Sequence, residues 1–198
     1  MNIAELLAQS ARTFDQRPAV SLGGATFCTY GALRDRAAAL AAGLRARGVP
    51  KGGRVVIYMG NRAEYIEMLF GIWAAGCVAV PVNAKLHPNE VDYVLANCGA
   101  ALLFTDKAEE MAGFDKTVAV ESPAYAALMA EPAPFRPAQA APEDPAWIFY
   151  TSGTTGRPKG AVLSHRNLWA MTLSFLADIC PLTEGSAALH PAPLSHAA

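Results

Sequence analysis

Apolar residues follow two different spacings along this chain, and each spacing predicts a different element. Ile3, Leu6, Leu7 and Phe14 recur at helical spacing, which predicts an opening amphipathic helix over residues 3–14. Residues 54–59 form instead a nearly continuous apolar run, typical of a strand buried on both faces of a parallel sheet. The chain therefore contains both helices and buried strands.

The same reading extends over most of the sequence. Gly23-Gly24 predicts a hairpin turn between strands at 19–22 and 26–28. Further strands are predicted at 77–80 (ended by Pro81), 101–104 and 117–120, and helices after Thr29, from Asn61-x-x-Glu64 to Ala75, from Pro88, and after Ser164 with Leu168, Met171, Phe175 and Ile179 as its apolar face. Helices that alternate with buried strands predict βαβ units and a layered α/β fold with flanking helices.

A proline-rich segment divides the chain in two. Residues 131–145 contain five prolines and little regular pattern, which predicts a connector. We expect an N-terminal α/β subdomain over 1–130, and the start of a second, incomplete subdomain over 146–198.

Composition and charge narrow the class of protein. Of the 198 residues, 53% are hydrophobic and 17% charged, which indicates a globular chain. A net charge of −1 gives no reason to expect a nucleic-acid partner. Residues 68–82 are uncharged but short for a membrane span, and no signal sequence is apparent, so we expect a cytoplasmic protein without a transmembrane segment. The four scattered cysteines predict buried reduced thiols.

Residues 150–160 carry the chemistry. This stretch, YTSGTTGRPKG, holds four Ser and Thr hydroxyls, three glycines, an arginine and a lysine. Glycines let a backbone approach a ligand closely, while hydroxyls, backbone N–H groups and a lysine can surround phosphate oxygens. The segment predicts a loop that binds the phosphates of a nucleotide.

The stretch differs from a Walker-type P-loop. That pattern needs Gly-Lys-Ser/Thr at its end and a following helix, whereas Lys159 here is followed by Gly160. Short apolar runs flank the loop, at 147–150 and 161–163. We therefore expect the loop to join two strands.

The 18 residues from Ile148 to His165 resemble the signature of the AMP-forming adenylating enzymes, which include acyl-CoA synthetases, aryl-CoA ligases, luciferases and peptide-synthetase adenylation domains. A flexible Ser/Thr/Gly surface linker is the alternative, but such a linker needs neither Lys159 nor apolar flanks. Segments at 29–33, 71–76, 81–83 and 102–106 are similar to other parts of this family. The resemblance covers essentially the whole chain and implies the N-terminal part of the large adenylating domain.

The resemblance implies a reaction in which a carboxylic acid and ATP, with Mg²⁺, give an acyl-adenylate that coenzyme A then attacks. It assigns the phosphate contacts, with Lys159 also catalytic, to the loop: Thr151, Ser152, Gly153, Thr154, Thr155, Gly156 and Lys159. Arg157 reads as an ordinary solvated residue. His196, in Pro193-Leu194-Ser195-His196, borders the acyl-substrate pocket by resemblance or is simply structural, and His165 is expected to be structural.

Several alternatives remain open at the level of sequence. Family members continue beyond the region matched here, and their magnesium, adenine and C-terminal lysine contacts have no match in these residues. We therefore expect residues 1–198 alone to be inactive. A catalytically inactive remnant or interaction module, and a peptide-synthetase adenylation domain, stay possible. The identity of the acid, the choice between coenzyme A and a carrier protein, and the oligomeric state are not readable from the sequence.

Overall fold

Two sheets organise the chain in the computed structural model, which describes residues 1–151, 157–180 and 182–195. The strands are β1 (Pro18–Leu22), β2 (Ala25–Thr29), β3 (Arg54–Tyr58), β4 (Val78–Val82), β5 (Ala100–Thr105), β6 (Thr117–Ala119), β7 (Pro145–Thr151) and β8 (Lys159–Ser164). The helices are α1 (Glu5–Phe14), α2 (Tyr30–Ala46), α3 (Glu64–Ala74), α4 (Pro88–Cys98), α5 (Pro123–Leu128) and α6 (His165–Ser174), with a 3₁₀ turn at Ala108–Met111 and a π-helical turn at Phe175–Ile179.

The larger sheet has six strands in the order β6-β5-β3-β4-β7-β8. The first five of these are mutually parallel, and β8 returns antiparallel to β7. This arrangement confirms the predicted layered α/β fold. Residues 131–144 contain no helix or strand, and strands from both sides of that segment share the sheet. The division into subdomains stays a prediction.

Helices cover both faces of this sheet. Val55 and Ile57 of β3 face one apolar cluster, which α2 and α3 complete. Val56 and Tyr58 face the opposite cluster, which α4 completes with Val91, Val94 and Leu95. The continuous apolar run in β3 follows directly, because successive side chains enter different cores.

Turn and capping residues form the predicted local structures. Gly23 and Gly24 both have positive φ (57° and 86°), as a two-residue hairpin turn between β1 and β2 requires. The Thr29 hydroxyl accepts from the backbone N–H of Ala32 at 3.2 Å and begins α2. Ser164 caps α6 in the same way.

Two boundary predictions were wrong. Pro81 does not end β4, which continues to Val82 with Pro81 in register with Ile57. Beyond Ala79, β4 pairs with β3 alone, so the missing N–H of Pro81 breaks no bond on the β7 side. Asn61 does not cap α3, which begins at Glu64 without a side-chain cap.

The predicted apolar face of α6 is only partly buried. Leu168 is 5% exposed, but Met171 and Ile179 are 61% and 71% exposed, and the α-helix gives way to a π-helical turn at Phe175. The cysteines are all free, as expected, although two of them, Cys98 and Cys180, are only half-buried.

A buried carboxylate ties three helices together. Glu67 of α3 is 0% exposed and pairs bidentately with Arg36 of α2. The hydroxyl of Tyr125 in α5 also donates to Glu67, at 2.5 Å, and burial together with this carboxylate raises the pKa of Tyr125. Removing one partner of such a buried pair leaves an uncompensated charge, which costs more than the pair itself contributes.

We expect Arg36→Met to lower the free energy of unfolding by about 2–3 kcal/mol, less than for a fully enclosed pair because water reaches the half-exposed Arg36. Urea unfolding measures this. Arg34→Met is the matched control, since Arg34 lies on the same helix and pairs with half-buried Asp15 and exposed Asp35, and its effect should stay below about 1 kcal/mol. Equal losses in the two variants would contradict this account of Glu67.

Candidate functional site: a hairpin tip at one edge of the sheet

The predicted loop lies at the end of a β-hairpin, as expected from its apolar flanks. β7 and β8 pair antiparallel, with Tyr150 opposite Gly160 and Thr151 opposite Lys159. Five of the predicted phosphate contacts, Ser152, Gly153, Thr154, Thr155 and Gly156, lie outside the described residues. Thr151 and Lys159 therefore mark the two ends of the hairpin tip, side by side.

Both of these terminal residues are exposed. Within the described part of the chain, no carboxylate forms an ion pair with Lys159 or with Arg157. Two cations thus stand close together in sequence without a neutralising partner. That arrangement suits an anionic ligand with several negative charges.

The base of the hairpin is anchored in the core. The indole of Trp73 in α3 donates to the carbonyl of Ala146 at 2.8 Å, and its ring lies 5.9 Å from that of Trp147. β7 also pairs with β4, through Ala79 and Trp147. These contacts fix the first residues of β7 and leave residues 148–151 to other supports.

Two contacts with α4 lie beside the tip. The Tyr150 hydroxyl donates to Asn97 Oδ1 at 2.6 Å, and partial burial raises the pKa of Tyr150 to about 12. The guanidinium of Arg157 lies 5.9 Å from the ring centroid of Tyr93. Arg157 is exposed, as expected, but it is stacked on an aromatic ring as well as solvated.

The segment that leads to His196 is held at the carboxyl end of β3. Asn61 Nδ2 donates to the carbonyl of Ala192, and the backbone N–H of Leu194 donates to Asn61 Oδ1, both at 2.8 Å. Leu194 packs on the main core, and the hydroxyl of Ser195 is buried without a partner among the described residues. His196 itself lies outside the described residues.

This segment and the hairpin tip share one edge of the sheet. β3, β4 and β7 are parallel neighbours, so the residues after β3 and the end of β7 lie on the same side. Two strand spacings separate them, about 10 Å. The structure therefore brings the predicted phosphate loop and the predicted acyl-site segment to one edge.

His165 has a structural place, as expected. It is 2% exposed, and its Nδ1 accepts the backbone N–H of Ile3 at 3.1 Å. Burial, and then the positive N-terminus, lower its pKa, while Asp144 opposes them. The side chain joins the start of α6 to the start of the chain.

No group of three or more potential metal-ligating side chains occurs in residues 1–151, 157–180 and 182–195. Over the same described ranges, no helix has the length and hydropathy needed to cross a membrane.

Comparison with known proteins adds the decisive observation. A family model described as AMP-binding enzyme matches residues 7–198. The chain belongs to the AMP-binding enzyme family. Its relatives include the feruloyl-CoA synthase of Amycolatopsis sp., 40% identical over 95% of this chain and 38% of that protein.

Two solved structures share the fold of this chain. The inhibitor-bound N-terminal domain of FACL13 from Mycobacterium tuberculosis superposes with a TM-score of 0.88, at 28% identity, over 98% of this chain and 52% of that one. The o-succinylbenzoate CoA synthetase of Bacillus subtilis, in complex with its acyl-adenylate intermediate, gives a TM-score of 0.82 at 30% identity over 96% and 50% of the two chains. The chain spans about two-fifths of the length of the curated relative described above.

Sequence reasoning missed three residues that lie beside the candidate site in this member of the AMP-binding enzyme family: Asn61, Tyr93 and Asn97. Asn61 offered one signal, because a polar residue directly after a buried strand lies at the edge where parallel sheets place their sites. Tyr93 and Asn97 offered no such signal, since nothing in the sequence of their helix connects them with residues 150–157.

We expect stability to fall as pH drops below about 6.5, because the folded-state pKa of His165 is lowered and the unfolded chain therefore binds the proton more readily. Above that pH the neutral ring is present in both states and nothing is lost. Urea midpoints at pH 7.5 and 5.0 measure the loss.

His165→Asn retains an acceptor for Ile3 without a titrating ring, so its midpoint should depend less on pH. His190→Asn, at an exposed position, should keep the wild-type dependence. If His165→Asn loses as much stability on acidification as the wild type, the buried ring is not the cause.

Proposed function

We propose that this chain supplies the phosphate-binding part of an AMP-forming acyl-CoA ligase. One observation carries the proposal: Thr151 and Lys159 stand opposite each other where the β7–β8 hairpin meets its connecting loop, and Lys159 is exposed without an ion-pair partner among the described residues. Membership of the AMP-binding enzyme family supports a nucleotide as the ligand. The remaining predicted contacts, residues 152–156, belong to the same tip.

The proposed first step joins a carboxylic acid to ATP. A carboxylate oxygen attacks the α-phosphorus of ATP, and the bond between that phosphorus and the oxygen bridging to the β-phosphorus breaks. Pyrophosphate departs and the acyl-adenylate remains. Negative charge grows on the leaving group during this step. Lys159 and the loop donors would stabilise that charge without rearranging, which is how preorganised electrostatics lower a barrier.

The proposed second step is attack of the coenzyme A thiolate on the acyl carbon, with AMP as the leaving group. The names of the feruloyl-CoA synthase and the o-succinylbenzoate CoA synthetase support coenzyme A as acceptor and an aromatic or apolar acid as substrate. His196 would lie beside the acyl group, because residues 192–194 are held at the same sheet edge as the hairpin tip. We place this chemistry in the cytoplasm.

Mg²⁺ would reach this site together with the phosphates of ATP. The described residues offer the Thr151 hydroxyl and a lysine at the tip but no group of three or more potential metal ligands, so they fit phosphate oxygens better than a free cation. The metal would offset charge on the phosphates. Lys159 would hold the same phosphates from the protein side.

We expect ATP with Mg²⁺ to shift the backbone amide resonances of Thr151 and Lys159 in ¹⁵N-labelled protein in a saturable manner. Lys159→Ala should raise the dissociation constant for ATP about tenfold, because it removes a charge-assisted contact. NMR titration measures both. Lys116→Ala, which removes a lysine outside the hairpin, is the matched control and should bind as the wild type does. Saturable shifts confined to other regions, or none at all, would refute the proposed phosphate site.

We expect residues 1–198 by themselves to show no exchange of labelled pyrophosphate into ATP. The chain spans about two-fifths of its curated relative, and we propose that the walls for adenine, ribose and acid come from further polypeptide. Exchange above background, abolished by Lys159→Ala, would show instead that residues 1–198 are sufficient for adenylation.

A further inference from the structure

We propose that Tyr150 is a positioning residue for the phosphate site, and that it acts through its hydrogen bond to Asn97 on α4. This inference rests on the proposed function and extends it to a side chain outside the loop. Tyr150 touches no substrate in this role. It fixes the backbone that carries the residues which do.

The position of Tyr150 in the hairpin makes it suitable. It directly precedes Thr151 in sequence, and its register partner is Gly160, which directly follows Lys159. A contact that holds Tyr150 in place therefore also restrains Gly160, and these two residues are bonded directly to Thr151 and Lys159. No other described pair in the hairpin is adjacent to both.

The sheet itself does not supply this support. β7 pairs with β4 only at Ala79 and Trp147, and β8 is the outermost strand of the sheet. From Ile148 onward the hairpin extends beyond its last ladder contact with β4. The 2.6 Å hydrogen bond from Tyr150 to Asn97 lies in that part, where Ile148 and Tyr150 also pack against the apolar cluster that α4 completes.

Gly160 lets the ring of Tyr150 reach α4. An added Cβ at Gly160 would stand 2.9 Å from Ile148 Cγ2, close enough to displace one of the two groups, and 3.1 Å from Tyr150 Cζ, which would have to shift by a few tenths of an ångström. The ring thus crosses the strand where the partner residue has no side chain. Its path is set by packing as well as by its hydroxyl.

The other side of the tip is held on the same helix. Arg157 stacks on Tyr93, which lies four residues before Asn97 and so on the same face of α4. α4 is a firm support, because a capping box of His87 and Glu90 begins it and its opposite face is buried against the sheet. Tyr150, which precedes the tip, and Arg157, which lies two residues before Lys159, therefore contact the same face of α4.

The functional consequence is a smaller ordering cost on binding. A backbone that is already held near its bound position loses less freedom when phosphates arrive. Loss of the Tyr150–Asn97 bond should weaken ATP binding without changing which groups contact it.

A double-mutant cycle tests this proposal. ATP with Mg²⁺ is titrated into ¹⁵N-labelled wild type, Tyr150→Phe, Asn97→Ala and the double variant, and the dissociation constant is read from the amides of Thr151 and Lys159. We expect each single variant to bind about fivefold more weakly, the effect of one hydrogen bond. The double variant should bind no more weakly than either single one, because both remove the same bond.

Two controls separate positioning from general damage. Tyr125→Phe removes a tyrosine hydroxyl bound to Glu67 and should lower the unfolding midpoint while keeping the wild-type dissociation constant. Asn89→Ala removes an exposed asparagine elsewhere on α4 and should change neither the unfolding midpoint nor the dissociation constant.

The outcomes distinguish this inference from the function on which it rests. If Lys159→Ala weakens binding but Tyr150→Phe does not, or if the two single effects multiply in the double variant, the positioning role of Tyr150 is overturned and the phosphate site stands. If the wild type shows no saturable shift at Thr151 and Lys159, the phosphate site itself falls.

Discussion

A sheet covered on both faces forces polar chemistry to its edges, and this constraint organises the whole molecule. Val55, Val56, Ile57 and Tyr58 of β3 are all 0% exposed, so the strand interior has no room for groups that must meet a charged ligand. Such groups can only follow the strands. Because β3, β4 and β7 are parallel, the residues that follow them collect on one side.

The elements of the fold were predictable because local patterns determine them. Thr29, Pro88 and Ser164 each begin a helix as their side chains dictate, and the apolar runs of β3 and β5 reflect burial on two faces. The errors occurred where a distant contact prevailed over a local preference. Asn61 has the chemistry of a helix cap, but residues 192–194 use both of its polar atoms, and they lie more than 130 positions away.

The candidate site was predictable in its chemistry and only partly in its surroundings. Hydroxyls, glycines and Lys159 in one short stretch indicate phosphate binding whatever the rest of the chain does. The support from α4 could not be foreseen, since Asn97 is 53 residues from Tyr150 and an exposed asparagine near a helix end has many possible roles. Only the order of strands, which places α4 beside the hairpin, relates the two.

The nature of that support matters as much as its position. Arg157 is held by an aromatic ring and Tyr150 by a neutral amide, so neither contact involves a carboxylate. A glutamate in place of Tyr93 would hold Arg157 at least as firmly, but it would cancel the charge that attracts an anion. Neutral partners fix the backbone and leave the positive field of Arg157 and Lys159 intact. Both described cations therefore remain available to the negative charges of a polyphosphate.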